Sequence, residues 1–558
     1  MTDNIWTLSD TAVNEMAALS PVEATYVGVE GYDHLWTDYS PDGIAAGLDY
    51  LGDLRRRIDA LPDDPDPWAK RATQVARSFV DLEEGYGGHE DIFRAVRKLA
   101  CPLSEVREVF DVMDLESVEG RESVIARLNG LSGALAGIQS TLEVGMGRGL
   151  VAARRQVEVV VEQCATNAGE RSSLRALVPS MAENGASEAE LGAAGTAAQA
   201  AAAAFGEVGT WLEQTYLPSA PAEDPVGRDR YAAASRYFLG LDVDLEETYH
   251  WGWSEVERIR ADMEALSEEI EPGVGHRAVI ELLNTDPARL ASRDEFVRLM
   301  QERQDSALIE LEGTHFDVPE PVKKVVTKLG PPGSNMGAYY ISPSEDFSRP
   351  GSVWFSVGDH AQIPLWENVS TAYHEGFPGH HLQTGIQMSL AERTSRLQRV
   401  WVWYSGSGEG WALYSETLMR ELGYFEKPEY VFGMLASEIL RACRVAIDIG
   451  SHLGLAIPNS QPFHPGEAWS FDTAVEMLGN YAGLLPDYAA AEVTRYLGWP
   501  GQAPSYKIGE RVILDLREER KAREGTAFDL KQFHADVLEA GPVGLGLLQE
   551  FVRSAGQE

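Results

Sequence analysis

Apolar residues recur at intervals of three and four along most of this 558-residue chain. Val106, Val109, Phe110 and Met113 illustrate the pattern in the first half. Such spacing gives an α-helix one apolar stripe, so we expect a helical scaffold up to about residue 310. A chain of this length also exceeds what one hydrophobic core usually supports, and two or more lobes are expected.

The composition changes between residues 318 and 351, where six prolines and several glycines accompany two short β-like runs, GAYYIS and SVWFSV. These runs predict a small β-ribbon at about residues 336–357. After Gln362 the helical spacing returns and lasts nearly to the end. We therefore predict a mainly α protein with a large, bundle-like fold of two lobes around a deep cleft. The predicted lobes, intertwined as one unit, are a helical N-terminal lobe over 1–310 and a second helical lobe with the ribbon over 311–558.

Acidic side chains outnumber basic ones by 87 to 47, which gives a formal net charge of −40. Such a surface repels phosphodiesters and anionic lipid, so neither nucleic acid nor a membrane is an expected partner. Only three cysteines occur, and the N-terminus lacks the pattern of a signal peptide. These features predict a soluble, cytoplasmic protein. The sequence leaves the oligomeric state open.

Three of the 12 histidines fall within the segment TAYHEGFPGHHLQTG. His374 is followed directly by Glu375, and His380 and His381 come shortly after. Two imidazoles from one helix can bind one metal ion, while a carboxylate between them acts as general base for the water that the metal activates. The segment therefore predicts a metal centre with Glu375 as its base.

The spacing of these histidines departs from the usual H-E-x-x-H pattern, because Pro378 stands where the second histidine would be. In an uninterrupted helix, at about 100° per residue, His381 would return to within roughly 20° of the His374 face. If Pro378 and Gly379 form a bulge, His380 takes the position of the usual second ligand. We expect an interrupted helix here, and the residues alone leave His380 and His381 as alternatives.

The segment GSGEGWALYSETLMRELG supplies carboxylates for the same centre. A hydrolytic zinc has three protein ligands and an open position for water, and Glu409 is predicted as the third ligand. Glu416 lies seven residues later on the same helical face, where it would orient a ligand or bind a substrate amine. A solvated surface acid is the alternative interpretation of Glu416. One zinc ion is expected.

Two further groups of polar residues are candidates for the surroundings of the metal. Arg444, Asp448 and His452 follow one another at intervals of four on an otherwise apolar helix. Asp448 would be a relay that fixes the imidazole tautomer, and a purely structural buried ion pair is the alternative. In RYLGWPGQAPSYKIGE, a tyrosine would stabilise an oxyanion and a cation would hold a peptide carboxylate. The candidates in that segment are Arg495, Tyr496, Tyr506 and Lys507.

Four blocks, taken in order, resemble the signature of a bacterial family known as domain of unknown function 885 (DUF885). They are HEGFPGHHLQ at 374–383, GEGWALYSE at 408–416, RACRVAIDIGSH at 441–452 and PGQAPSYKIG at 500–509. That family is similar to helical gluzincin metallopeptidases of the neurolysin-like fold. Their blocks read His-Glu, then Gly-His, then a distal Glu-Gly.

The resemblance implies His374, His380 and Glu409 as metal ligands and Glu375 as the base. In such peptidases a short β-ribbon lies along the cleft and a tyrosine stabilises the tetrahedral intermediate. The run GAYYIS and Tyr506 would be the counterparts in this chain. Together, the residues and the resemblance predict a zinc-dependent metallopeptidase that hydrolyses short peptides by metal-activated water.

Two other functions stay open at this point. A metallohydrolase would cut a non-peptide amide or ester, because nothing in the sequence fixes the bond. A non-enzymatic helical protein would instead bind peptides and hold zinc as a structural ion. In that case four protein ligands would close the coordination sphere and leave no position for water.

Overall fold

The computed structural model describes residues 4–330, 337–344 and 347–555. The protein is mainly α-helical, which confirms the fold class predicted from the apolar spacing. Residues 336, 345 and 346 of the predicted ribbon lie outside the described residues. Within the described ranges, no helix is both long and apolar enough to cross a membrane.

The chain divides into two compact units. The first comprises Met1–Val226 with the short segments Ser395–Trp401 and Leu497–Trp499, and the second comprises Gly227–Thr394, Val402–Tyr496 and Pro500–Glu558. The boundary predicted near residue 310 therefore falls inside the second unit, within a helix. That prediction rested on a change in composition, which marks the β-strands and not the change of unit.

The first unit is built from helices alone within its described residues. They are α1 Ile5–Leu19, α2 Pro21–Tyr26, α3 Pro41–Asp59, α4 Pro67–Gly87, α5 Pro102–Glu108, α6 Val118–Gly147, α7 Arg154–Ala168, α8 Ser173–Glu183 and α9 Glu188–Trp211, with α16 Arg396–Val400 from the later segment. Helix α9 packs against α6, α7 and α8. Its buried residues include Ala194, Ala197, Ala201 and Phe205. Because alanine carries only a methyl group, the neighbouring helices approach α9 closely and still exclude water.

The second unit holds the remaining helices and the strands. The helices are α10 Arg228–Leu239, α11 Leu245–Ile270, α12 His276–Thr285, α13 Arg293–Leu311, α14 Asn368–Glu375, α15 His380–Ser389, α17 Ser405–Glu421, α18 Pro428–Leu453, α19 Phe471–Tyr481, α20 Pro486–Gly498, α21 Ser505–Glu524, α22 Leu530–Glu539 and α23 Leu545–Ser554. The last two residues of α20 belong to the first unit. The strands are β1 Leu290–Ser292, β2 Val325–Leu329, β3 Gly337–Ile341, β4 Gly351–Ser356 and β5 Gln362–Pro364.

The predicted ribbon is part of a three-stranded sheet with the order β2-β4-β3. Strands β3 and β4 pair antiparallel, with Tyr340 opposite Val353. Strand β2 runs parallel to β4, with Val325 opposite Gly351. Strands β1 and β5 form a separate antiparallel pair. The sheet touches α14, the helix that carries His374, through β3.

Two long helix pairs form the centre of the second unit, α11 with α18 and α17 with α21. Helices α17 and α21 meet backbone to backbone at glycines. A Cβ at Gly509 would lie 1.8 Å from the carbonyl oxygen of Gly406, so a larger residue would push the helices apart. This contact brings the start of α17, with Glu409, close to the start of α21, with Tyr506.

Candidate metal centre

The chain between His374 and His380 is not one continuous helix. Helix α14 ends at Glu375 and α15 begins at His380, so the interruption predicted from Pro378 and Gly379 is observed. The backbone N–H of Gly379 donates to the Tyr373 carbonyl at 3.0 Å. A Cβ at Gly379 would lie 1.9 Å from the carbonyl oxygen of His374. The second helix thus starts in contact with the backbone of the first, which only glycine allows.

Three ligand atoms converge at this break. Glu409 Oε2 lies 3.3 Å from His374 Nε2 and 3.5 Å from His380 Nε2. Ligand atoms of all three residues lie within 4.8 Å of one another. In a tetrahedral zinc site, bonds of 2.0–2.1 Å separate the ligand atoms by about 3.3 Å. The spacing of the three side chains therefore fits a zinc ion.

The hydrogen bonding of Glu409 also fits a cation. Its Oε2 atom is buried and has no hydrogen-bond partner among the described residues. Buried polar atoms in folded proteins are almost always satisfied, so an unpartnered carboxylate oxygen between two imidazoles needs an explanation. A divalent ion bound by this oxygen and the two Nε2 atoms would supply the missing interaction.

Glu416 fixes the orientation of the His374 ring. Its Oε1 atom lies 2.7 Å from His374 Nδ1, and its Oε2 atom accepts a hydrogen bond from the Ser370 hydroxyl. A carboxylate accepts from Nδ1–H, so the lone pair of Nε2 is left for a metal. The interpretation of Glu416 as a solvated surface acid is wrong, because the side chain is fully buried.

The local electrostatics favour positive charge at this point. Burial alone would lower the pKa of His374, but the Glu409 and Glu416 carboxylates raise it to about 10. Burial likewise opposes ionisation of Glu409, yet the two imidazoles hold the pKa of its carboxyl well below the usual range. Without a metal, a proton on His374 balances the two carboxylates; a divalent cation would balance them equally well.

His381 has other partners. Its Nε2 lies 2.8 Å from the Val322 carbonyl oxygen, and its Nδ1 lies 3.0 Å from the Tyr340 hydroxyl. Since a carbonyl only accepts, Nε2 carries the proton and Nδ1 accepts from the tyrosine. Burial lowers the pKa of His381 to about 4, so the ring is neutral. Both nitrogens are therefore engaged, and of the two alternatives His380 is the histidine beside Glu409.

Glu375, the predicted base, lies within electrostatic range of His374, His380 and Glu409, and Tyr506, the predicted oxyanion donor, lies within range of Glu409. Burial raises the pKa of Glu375, while the charges of His374 and His380 oppose the rise. Burial and the Glu409 charge raise the pKa of Tyr506 to about 12, so its hydroxyl stays protonated at neutral pH. Glu375 can therefore accept a proton and Tyr506 can donate a hydrogen bond in the same space.

The predicted relay of Arg444, Asp448 and His452 is not formed. Arg444 donates to Glu492 at 2.8 Å, and Asp448 accepts from the Tyr231 hydroxyl at 2.7 Å and from a backbone N–H. His452 Nε2 lies 3.8 Å from Asp448 and 3.2 Å from the Tyr496 carbonyl oxygen, to which it donates. The residues do share one helical face, but α20 supplies the partners of Arg444 and His452, while Tyr231 of α10 and the backbone of Gly501 bond Asp448.

Lys507 was predicted to bind a substrate carboxylate, but carboxylates of the protein itself neutralise its charge. Its ammonium group is buried and pairs with Glu438, with Glu510 at 2.6 Å and with Glu255 at 3.5 Å. Three carboxylates around one cation leave no positive charge for a substrate. A role for Lys507 in binding a substrate carboxylate is therefore not supported.

Tyr496 and Arg495 are also engaged by a neighbour, Glu492. The Tyr496 hydroxyl donates to this carboxylate at 2.7 Å, and Arg495 donates to it at 3.0 Å. The Tyr496 side chain is fully buried, so this hydroxyl is not exposed to a substrate. Of the four candidates from this part of the chain, Tyr506 is the one that the structure brings near Glu409.

Three residues of the site were missed by sequence reasoning. The Trp403 ring lies 6.2 Å from that of His380 and is 55% exposed, as a wall for a substrate side chain would be. Tyr340 bonds His381. The charge of Arg441 acts on Glu375, Glu416 and Tyr506. Arg441 could have been found from its spacing, since it lies three residues before Arg444 and shares its helical face.

Comparison with known proteins identifies relatives of unknown function. A family model described as "Bacterial protein of unknown function (DUF885)" matches residues 21–552. The crystal structure of a candidate lipoprotein from Colwellia psychrerythraea is similar, with a TM-score of 0.85 and 23% identity over 98% of each chain. A candidate lipoprotein of unknown function from Shewanella oneidensis has a TM-score of 0.74 and 17% identity, over 99% of this chain and 100% of that one. None of the curated proteins matches the sequence.

Proposed function

The chain belongs to the bacterial family of unknown function DUF885, and we propose that this member is a zinc-dependent metallopeptidase acting on short peptides. The observation that carries the proposal is the convergence of His374, His380 and Glu409 on one point, with Glu409 Oε2 left without a hydrogen bond. The helical gluzincin peptidases that the sequence motifs resemble share this ligand set.

The residues around the donors support hydrolysis. When bound, zinc supplies a Lewis acid that polarises a carbonyl and makes water more acidic. Glu375 accepts a proton from the attacking water and passes it to the leaving amine. The Tyr506 hydroxyl donates a hydrogen bond to the oxygen that becomes negative during the attack. Glu416 holds the His374 ring so that Nε2 faces the donors.

The ligand set argues against the non-enzymatic alternative. A structural zinc is usually closed by four protein ligands. Among the described residues, no fourth His, Cys, Asp or Glu ligand joins the group of three. The fourth position is thus available to water. A purely structural ion would also give no role to Glu375, whose carboxyl is held near both histidines.

The proposal also covers the partners of the protein. Short peptides are the proposed substrates, and we propose neither nucleic acid nor a membrane as a partner of a chain with a formal charge of −40. Location in the cytoplasm stays a prediction. The non-peptide amide or ester remains the second candidate bond.

The test is a Glu375→Gln variant compared with a matched Glu392→Gln control, which changes an exposed carboxylate after α15. After loading with zinc, both variants should hold one equivalent. Hydrolysis of short peptides should fall by about 10²- to 10⁴-fold in Glu375→Gln only, because the general base is lost.

The same zinc-loaded enzyme is assayed on a panel of short peptides, blocked amides and esters. Cleavage of amides or esters without cleavage of peptides would replace the peptidase by the second candidate. An unchanged rate in Glu375→Gln would remove this residue as the base. Failure of the parent protein to bind zinc would contradict the proposal as a whole.

A further inference from the structure

An arginine beside the candidate metal centre has no ion-pair partner among the described carboxylates, although acidic residues are abundant in this chain. Arg441 Nη1 donates to the carbonyl oxygen of Ser437 at 3.1 Å, within helix α18. Its Nε atom is buried and has no hydrogen-bond partner among the described residues. No described carboxylate forms an ion pair with Arg441. A buried guanidinium donor without an acceptor is unfavourable, so a partner from outside the chain is expected.

The neighbouring arginines make the contrast clear. Arg444, one helical turn later, pairs with Glu492 at 2.8 Å, and Arg495 pairs with the same carboxylate at 3.0 Å. Arg444 and Arg495 thus share one carboxylate, whereas Arg441 forms no ion pair with a described carboxylate, in a chain whose formal net charge is −40. The Arg441 guanidinium therefore has hydrogen-bond donors left for a carboxylate from outside the chain.

Arg441 lies beside the ring of Tyr506, the proposed oxyanion donor. Its guanidinium carbon lies 6.0 Å from the centre of the Tyr506 ring, and that of Arg444 lies 5.1 Å from the same ring. Its charge also acts on the carboxyls of Glu375 and Glu416. Arg441 therefore lies close to the proposed oxyanion donor and within electrostatic range of the proposed base.

The side of this guanidinium that makes no hydrogen bond suits a carboxylate. With Nη1 engaged by the helix backbone, Nε and Nη2 have no hydrogen bond to described residues. These two N–H groups form the edge that binds both oxygens of a carboxylate in parallel. A carboxylate is also the anion that every unblocked peptide carries.

We propose that Arg441 binds a carboxylate of the substrate, so that the enzyme selects short peptides with a free C-terminus. This inference rests on the proposed peptidase function and specifies its substrate class. An acidic side chain at the last position carries the same chemical group, and the test has to separate the two sources.

The test compares one tripeptide in three forms: the free acid, the C-terminal amide, and the amide with Glu as its last residue. With the zinc-loaded parent, kcat/KM for the free acid should exceed that for the amide by about 10- to 100-fold, the usual effect of one charged hydrogen-bonded pair. Recovery by the Glu amide would assign the site to an acidic side chain. Equal rates for all three would overturn the inference and leave the peptidase standing.

Variants then assign the preference to this residue. Arg441→Gln should lose the free-acid preference through a rise in KM, while cleavage of the amide changes less than about threefold. Arg441→Lys should recover part of it, because a point charge lacks the bidentate edge. A uniform loss on all three substrates would mean that Arg441 only positions Glu375, which contradicts the inference. Arg420→Gln, an exposed arginine on α17, is the matched control and should behave as the parent.

A binding measurement separates this inference from the proposed function. Zinc-loaded Glu375→Gln is titrated calorimetrically with the free acid and the amide. Tighter binding of the free acid that disappears in Glu375→Gln/Arg441→Gln supports the carboxylate site even if no peptide is cleaved. Equal Kd values for the two peptides would reject the carboxylate site, whatever the parent hydrolyses.

Discussion

Two buried groups of charged side chains in the second unit are both rich in carboxylates and differ in the groups that surround these carboxylates. In the metal centre, ligand atoms of His374, His380 and Glu409 lie within 4.8 Å of one another. In the second group, called here the lysine cluster, Lys507 donates to Glu438 and Glu510 and lies close to Glu255. The lysine cluster holds a lysine ammonium among its carboxylates, whereas the groups beside Glu409 in the metal centre are two imidazoles. Buried carboxylates by themselves therefore do not indicate a functional site; a carboxylate beside two imidazoles is a ligand set that zinc binds.

Removal of a proposed metal ligand should give the largest effect and would test this comparison most directly. Glu409→Gln replaces an anionic ligand with a neutral amide that binds zinc poorly. Zinc content, measured by elemental analysis after dialysis, should fall from about one equivalent to less than about a tenth, and hydrolysis should be lost. Glu421→Gln, on the same helix but partly exposed, should keep its metal. Full metal content in Glu409→Gln would show that other groups bind the ion.

The lysine cluster should respond in stability and not in metal binding. Lys507→Met leaves the buried Glu438 and Glu510 without their cation, which should lower the free energy of unfolding by about 3–5 kcal/mol. Urea denaturation measures the change. Lys521→Met, an exposed position on the same helix, should stay within about 0.5 kcal/mol of the parent. Loss of zinc from folded Lys507→Met would contradict the expectation that the lysine cluster affects stability and not metal binding.

Asp448 belongs to neither group, and its effect on stability should depend on pH. Burial raises the pKa of Asp448 to about 7 from an ordinary value of 3.8. Between these values the folded protein holds a proton that the unfolded chain releases, so this residue makes stability fall as pH rises from 4 to 7. Asp448→Asn removes the titration, and its stability relative to the parent should rise over this range by up to about 4 kcal/mol.

The measurement for Asp448 is urea denaturation of both proteins at several pH values. Asp472→Asn, an exposed change on α19, is the control and should differ from the parent by the same amount at every pH. A difference between Asp448→Asn and the parent that is constant with pH would mean that Asp448 is ionised in the folded protein throughout the range.

Substitution of Glu416, which accepts a hydrogen bond from the proposed ligand His374, should give the smallest of these effects. Glu416→Gln keeps an acceptor for His374 Nδ1 but removes the negative charge that polarises the ring. Affinity for zinc, measured by competition with a chelator, should fall by about 10- to 100-fold while the protein still binds one equivalent. Unchanged affinity would assign Glu416 to the folding of α14 against α17 and not to the metal centre.

The sequence predicted the elements of this molecule better than the contacts between them. Apolar spacing predicted helices over most of the chain, and Pro378 with Gly379 predicted the break that separates α14 from α15. Spacing likewise put Arg444, Asp448 and His452 on one face of α18. It did not predict that Arg444 would pair with Glu492 from α20. Helical period fixes which residues share a face, whereas the partner comes from an element distant in sequence.

By itself, the sequence determined the mainly α class, the family and a short set of residues able to hold a metal, because these depend on local spacing and on the residue types that metals bind. Only the tertiary structure decided between His380 and His381, since the direction of each ring depends on how α15 leaves the break and on the carbonyl of Val322. It also showed that carboxylates neutralise Lys507 within the fold and that Arg441 forms no ion pair with any carboxylate in the described part of the chain. Charge compensation is a property of neighbours in space, and neighbours in space are what a linear pattern of residues leaves undetermined.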